Sequence, residues 1–425
     1  MSTDSNVRKT TLDNGIVVVS EQMPHVRSVS FGVFLREGSR HESPDVNGMF
    51  HFIEHTLFKG TRRRTAVQIA DESDALGGYL DAFTSRDSVG FTNKVLDEHL
   101  PQAFELIADL VTAPTFDETE LDKERNVILE EIKMVEDTPD DLVYELFSEK
   151  YYPGHSLGRP ILGTPETLAT FNSSSVRKFY ESSYRPENLV IAAAGNITHE
   201  AWLDLVNQHF SHLRPTGEVS PIVTPAPVTH ITLRHKAELE QSHLVIGAQC
   251  PSLLSEDHYA MNVLCTILGG GMSSRLFQSV REDRGLVYTI ASSLTEYIDT
   301  AYLSIYAGAS TENINPTIEA TLKEINKLKD NGVNPLELQR NKDQLKTSLM
   351  LALESSSARM NSLAGQEMTW KEFITPDEVI AKVNAVTAED VSRLMNEVFK
   401  PEAMAVTVLG DVEGLEIELD VNQAV

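Results

Sequence analysis

Residues 29–60, VSFGVFLREGSRHESPDVNGMFHFIEHTLFKG, hold a strand, a polar loop, a helix and a glycine stop in one run. Positions 29–35 alternate in the manner of a strand with a buried face. Positions 47–59 read as a helix that Gly60 ends. The run returns in the second half: 243–248 is its strand, a polar loop and a helix follow, and Gly269-Gly270-Gly271 makes the turn. Each half then has an acidic or amidic helix, at 117–136 and 334–354, and closes on a short apolar strand, at 189–194 and 403–409. Strands alternating with helices in two matching series predict an α+β fold of two similar duplicated α/β domains. The seam is 214–229, RPTGEVSPIVTPAPVT, where Pro215, Pro221, Pro225 and Pro227 interrupt regular structure. It separates a domain at 1–213 from one at 230–425.

Length and composition agree with this division. A chain of 425 residues exceeds what one core organises. With 41% hydrophobic and 23% charged residues, the composition is that of a globular protein and argues against wholesale disorder. The formal net charge of −27 argues against a nucleic-acid partner, because phosphate binding needs a basic surface. The two cysteines, Cys250 and Cys265, sit in apolar surroundings and offer no disulfide framework. The opening MSTDSNVRKTTLDNG resembles neither a signal peptide nor an Arg-rich presequence, and no apolar run reaches about 18 residues. A reducing, cytoplasmic setting without a membrane span is the expectation.

The helix at 47–59 contains His51-Phe-Ile-Glu54-His55. Residues four apart on a helix lie one above the other, so both imidazoles point to one side. That spacing suits two nitrogen ligands on one Zn²⁺, and Glu54 beside them can take the proton of an attacking water. A catalytic zinc needs a third protein ligand. The helix at 117–136 supplies two candidates on one face, Glu124 and Glu131, seven residues apart. Val127 and Ile128 between them suggest that this face is internal, where a carboxylate needs a partner. Glu131 is assigned as third ligand. Glu124 is assigned behind it, supporting an imidazole or the water. Glu130 points roughly 100° away and is the lesser candidate.

These residues closely resemble the pitrilysin/insulinase-type zinc peptidases, in particular the branch of the processing peptidases and their bacterial relatives. The family pattern places H-x-x-E-H before a ligand glutamate 76 residues on, with another glutamate seven positions earlier. Here those are His55, Glu131 and Glu124. GMFHFIEHTLFKGT, ERNVILEEIKM, 77–85 and 152–163 extend the likeness over nearly the whole chain. The resemblance implies that Arg281 and Tyr288, in VREDRGLVY, contact substrate and donate to a developing oxyanion. It also implies that the strand at 80–84, with Asp81, Ala82, Phe83 and Thr84, pairs with the backbone of a bound peptide. Asp81 stands where many relatives have Asn, and a carboxylate cannot donate as an amide does.

Aligning the two halves without gaps in the helices sets His51, Glu54 and His55 over Asn262, Cys265 and Thr266. Glu124 and Glu131 fall over Asn341 and Ser348. The second copy has no ligand, so one zinc per chain is expected. Family catalytic units have four such domains. A two-domain chain should therefore pair as a homodimer, or with an inactive relative, around a closed chamber. Arg281 and Tyr288 would then serve the partner's zinc. The implied reaction is hydrolysis of short or unfolded peptides, with basic peptides favoured if the acidic residues of 117–149 line that chamber. The rival readings are a non-catalytic subunit like the respiratory core proteins and a zinc protein that sequesters peptides without cutting them.

Overall fold

The computed structural model of this chain describes residues 6–215 and 222–417. In the first half β1 (Val7–Thr11), β2 (Val17–Gln22), β3 (Ser28–Leu35), β4 (Asp81–Thr84), β5 (Val89–Leu96) and β6 (Leu189–Gly195) form one sheet. Their spatial order is β1-β2-β6-β3-β5-β4. The second half builds β7 (Ile231–His235), β8 (Ser242–Cys250), β9 (Thr289–Glu296), β10 (Ala301–Ala309) and β11 (Met404–Gly410) in the order β7-β11-β8-β10-β9. From β2 onward the two orders match strand for strand. The matched pairs β2–β6 and β7–β11 are parallel, and the other matched neighbours are antiparallel. The duplicated α+β architecture expected from the sequence is present, with β1 as an addition to the first copy.

The domain bounds read from the sequence need correction. One compact unit comprises the described residues of Met1–Met134, Arg159–Val223 and Leu351–Phe373. The other comprises those of Val135–Gly158, Thr224–Met350 and Ile374–Val425. Each unit thus takes a helix from the opposite half of the chain. In the first, Met360, Leu363 and Ala364 of helix Ser356–Thr369 pack on Val19, Phe34, Val190 and Ala192. In the second, Leu142, Val143 and Phe147 of helix Pro139–Tyr151 pack on Val245, Tyr302, Ala405 and Leu409. The physical reason is that the central strands are apolar on both faces: every residue of β6 and of β11 is buried. A sheet buried on both faces needs cover on both. Of the expected 214–229 linker, residues 216–221 lie outside the described residues. Among the described residues no helix is long and apolar enough to cross a membrane.

Candidate metal centre

The helix Met49–Leu57 buries Met49, Phe50, Phe52, Ile53 and Leu57 in the core of the first unit. Its start is held by a buried acid. Glu42 accepts the backbone N–H groups of Gly48 (2.8 Å) and Phe50 (2.8 Å) and the side-chain amide of Asn47 (3.2 Å). These satisfy donors that a helix N-terminus otherwise leaves open, and they set a negative charge at its positive end. Burial pushes the Glu42 carboxyl up to about 7 against the pull of these bonds. Gly48 has φ +93°, and a Cβ there would lie 2.7 Å from the Cα of Gly163. Asn47 also donates to the carbonyl of Pro160 (2.9 Å), and Arg159 donates to the carbonyl of Glu42. The 159–163 part of the second sequence signature therefore seats this helix.

With Met49 to Leu57 fixed, His51, Glu54 and His55 project toward helix Glu118–Glu136 and strand β4. His51 Nε2 lies 3.7 Å and His55 Nε2 3.6 Å from Glu131 Oε2. One ligand atom from each of the three residues falls within 4.8 Å of the other two, the one such group of His, Cys, Asp or Glu among the described residues. Donor atoms on a tetrahedral ion at zinc distances are about 3.3 Å apart, so this set fits zinc with small side-chain adjustment. Burial, aided by the His55 charge, pushes His51 down to about 3, which keeps it in the neutral form that ligates. Among the described residues its buried Nδ1 has no hydrogen-bond partner.

Glu124, expected to support an imidazole or the water, is buried beside His55. Its Oε2 is 3.2 Å from His55 Nδ1, so the protonated Nδ1 donates to it and Nε2 keeps its lone pair for a metal. Lys59 Nζ holds the other oxygen at 2.8 Å. Glu130 points away, 71% exposed in its side chain and paired with Lys133. One detail is corrected. Ile128 is fully buried, but Val127 is 44% exposed, because only one flank of this helix meets the core.

Glu54 accepts a hydrogen bond of 2.5 Å from Thr84 Oγ1. Burial raises its carboxyl above the usual range, the Thr84 bond and the His55 charge oppose this, and Asp81 and Glu131 add to it. Strand β4 carries Thr84 at the edge of the sheet, bonded to β5 on one side. Its other side offers the backbone groups that an added strand would need. Asp81 and Phe83 are exposed, while Ala82 and Thr84 are half-buried. The second unit places Arg281 at the end of a π-helical turn, Phe277–Glu282, with its guanidinium 4.5 Å from the Phe277 ring centroid. Tyr288 precedes β9 and is 73% exposed.

Sequence reasoning passed over four groups. Lys59 lies in the turn just past Leu57, four residues after His55, a spacing that was readable. Glu42 and Arg159 reach the helix start from loops that no periodicity marks. Tyr184 lies buried near Glu54, and burial together with that carboxylate holds its phenol protonated; among the described residues its Oη has no hydrogen-bond partner.

Comparison with known proteins adds to this geometry. The family model for insulinase, peptidase family M16, matches residues 17–165, and that for the peptidase M16 inactive domain matches 170–345. A Bacillus subtilis protein named an uncharacterized zinc protease, YmxG, is 42% identical over 92% of this chain and 96% of its own. The chain belongs to the M16 insulinase family of peptidases. Family relatives named uncharacterized zinc proteases also occur in Streptomyces coelicolor, 37% identical over 92% of this chain and 87% of theirs, and in Rickettsia bellii, 35% identical over 96% and 98%. Among solved structures, a protease from Helicobacter pylori superposes with a TM-score of 0.89 at 23% identity, covering 95% of this chain and 99% of that one. A Pseudomonas fluorescens structure titled peptidase M16 inactive domain gives 0.89 at 20%, covering 95% and 98%. At these identities the two structures speak to the fold.

Proposed function

We propose that this chain is a zinc-dependent endopeptidase of the processing-peptidase-like branch, acting on short or unfolded peptides. The observation that carries the reading is the convergence of His51, His55 and Glu131 with Glu54 alongside. His51 and His55 would hold the ion through Nε2 and Glu131 through a carboxylate oxygen. The ion supplies positive charge that polarises the scissile carbonyl and acidifies water. Glu54 takes the proton of the attacking water and returns it to the leaving amine. An extended peptide adds to the open edge of β4, which sets its backbone beside Glu54. Arg281 and Tyr288 donate to the oxyanion, and the exposure of Tyr288 favours a role outward from its own unit.

In this reading the second half, whose matched family model is described as inactive, serves substrate and pairing, and two copies of the chain complete one chamber. A preference for basic peptides belongs to the same proposal. Glu120, Asp122 and Glu130 are each paired with a base three residues on, which leaves the other acids of 117–149 to set that preference. The test is turnover of a quenched fluorescent peptide with elemental analysis of the same sample. Glu54→Gln should retain zinc and lose about a thousandfold or more in kcat. Undiminished turnover in that variant, or after chelation, would sink the proposal. Zinc binding without turnover by the native chain would instead favour a peptide-sequestering protein.

A further inference from the structure

We propose that the Thr84 hydroxyl is a positioning residue for Glu54, so that the strand receiving the peptide also fixes the base. The inference rests on the peptidase reading and adds a role that backbone pairing by β4 does not require. Thr84 Oγ1 donates to Glu54 Oε2 at 2.5 Å. Among the described residues no hydrogen bond reaches Oε1, which is left to face the proton it must accept.

The anchorage of Thr84 is unusually complete for an edge strand. β4 is antiparallel to β5, with Thr84 opposite Val89. Just beyond it the chain turns: Ser85 N–H donates to the Ser88 carbonyl (2.8 Å), and Ser85 Oγ donates to the same carbonyl (2.9 Å). The turn is tied outward as well, with Ser39 N–H on the Ser85 carbonyl (3.1 Å) and Arg40 N–H on the Arg86 carbonyl (2.9 Å). Alternation along the strand sends Ala82 and Thr84 to one face and Asp81 and Phe83 to the other. The small Ala82 leaves room on that face, and the threonine, stiff at χ1, delivers one donor in one direction. A carboxylate held through one oxygen gives up rotational freedom before the reaction starts, the condition for proton transfer from a positioned water.

The experiment uses the full-length, zinc-loaded chain. Thr84→Val keeps the branched shape and removes the donor, whereas Thr84→Ser keeps the donor. The expected result for Thr84→Val is a fall in kcat of about tenfold or more with KM changed by less than about twofold. Its zinc content and thermal midpoint should match the native chain. Thr84→Ser should recover kcat to within about threefold. If Thr84→Val does not fold, Thr84→Ala set against Thr84→Ser provides the same contrast. Native kcat in the donorless variant overturns the inference, as does a change confined to KM, or a Thr84→Ser enzyme as slow as Thr84→Val. Those results leave the peptidase reading standing. An active Glu54→Gln enzyme removes both.

Discussion

Helix Met49–Leu57 and helix His258–Gly269 hold matching places in the two copies, packing beside β4 and β9 respectively, yet they direct their polar side chains in opposite ways. In the first copy His51, Glu54 and His55 reach outward to Glu131, Thr84 and Glu124. In the second, the aligned side chains turn back on their own helix. Asn262 donates to the His258 carbonyl (2.9 Å) and Thr266 to the Asn262 carbonyl (2.8 Å), while Cys265 is buried against Ser292. The companion helices repeat the contrast. Glu124 bridges to His55 and Lys59, whereas Asn341 donates to the Glu337 carbonyl one turn back (2.8 Å). The same scaffold therefore carries a candidate ligand constellation in one copy and a self-satisfied core in the other. Backbone topology decides where a site can be, and side-chain chemistry decides whether there is one.

The comparison can be broken most severely at the ligands. His51→Ala should leave a chain that purifies without zinc and shows no peptide turnover above background, because two remaining ligands make a weak site. Elemental analysis after dialysis reads this directly, and native zinc content in His51→Ala would remove the distinction between the copies. A smaller effect is expected behind the ligands: Glu124→Gln, which loses the charge opposite His55 and Lys59, should weaken zinc affinity by about 10–100-fold. Competition with a graded series of chelators measures it.

The pH profile sharpens the contrast further. As the proposed base Glu54 must be ionised, and in the metal-free chain burial raises its pKa above the exposed glutamate value of about 4.3. In the zinc-free chain its carboxyl should therefore titrate above that value, read by NMR against Glu54→Gln, and zinc loading should move the midpoint down. A midpoint at or below about 4 in the zinc-free chain would contradict the buried base. The least effect is expected in the silent copy. Asn262→Ala removes only a bond to its own helix and should shift stability by under about 1 kcal/mol, with zinc content and turnover unchanged. Thermal unfolding beside the peptide assay checks both halves of that statement.

Much of this site could be read in the chain because its grammar is local. His51, Glu54 and His55 lie within five residues on one helix, and the seven-residue spacing singled out Glu131 and Glu124 over Glu130. The strand series was readable for the same reason, since β3, β6, β8 and β11 are runs of apolar residues bounded by turns. What escaped was non-local. The exposure of Val127 depends on where the core ends, the Thr84–Glu54 bond on strand placement, and the Glu42 cap on loops that meet only after folding.

The order of residues by itself determined the duplication, the helices that carry imidazole and carboxylate on defined faces, and the loss of ligands in the second copy. Tertiary structure alone decided which helix covers which sheet, exchanging Pro139–Tyr151 and Ser356–Thr369 between the halves. It also decided that Lys59, Glu42 and Thr84 would hold Glu124, the helix start and Glu54 in place. Periodicity reports which face of an element is apolar. Which element from elsewhere in the chain will cover that face depends on burying both faces of a sheet at once, and that becomes definite only when the chain closes on itself.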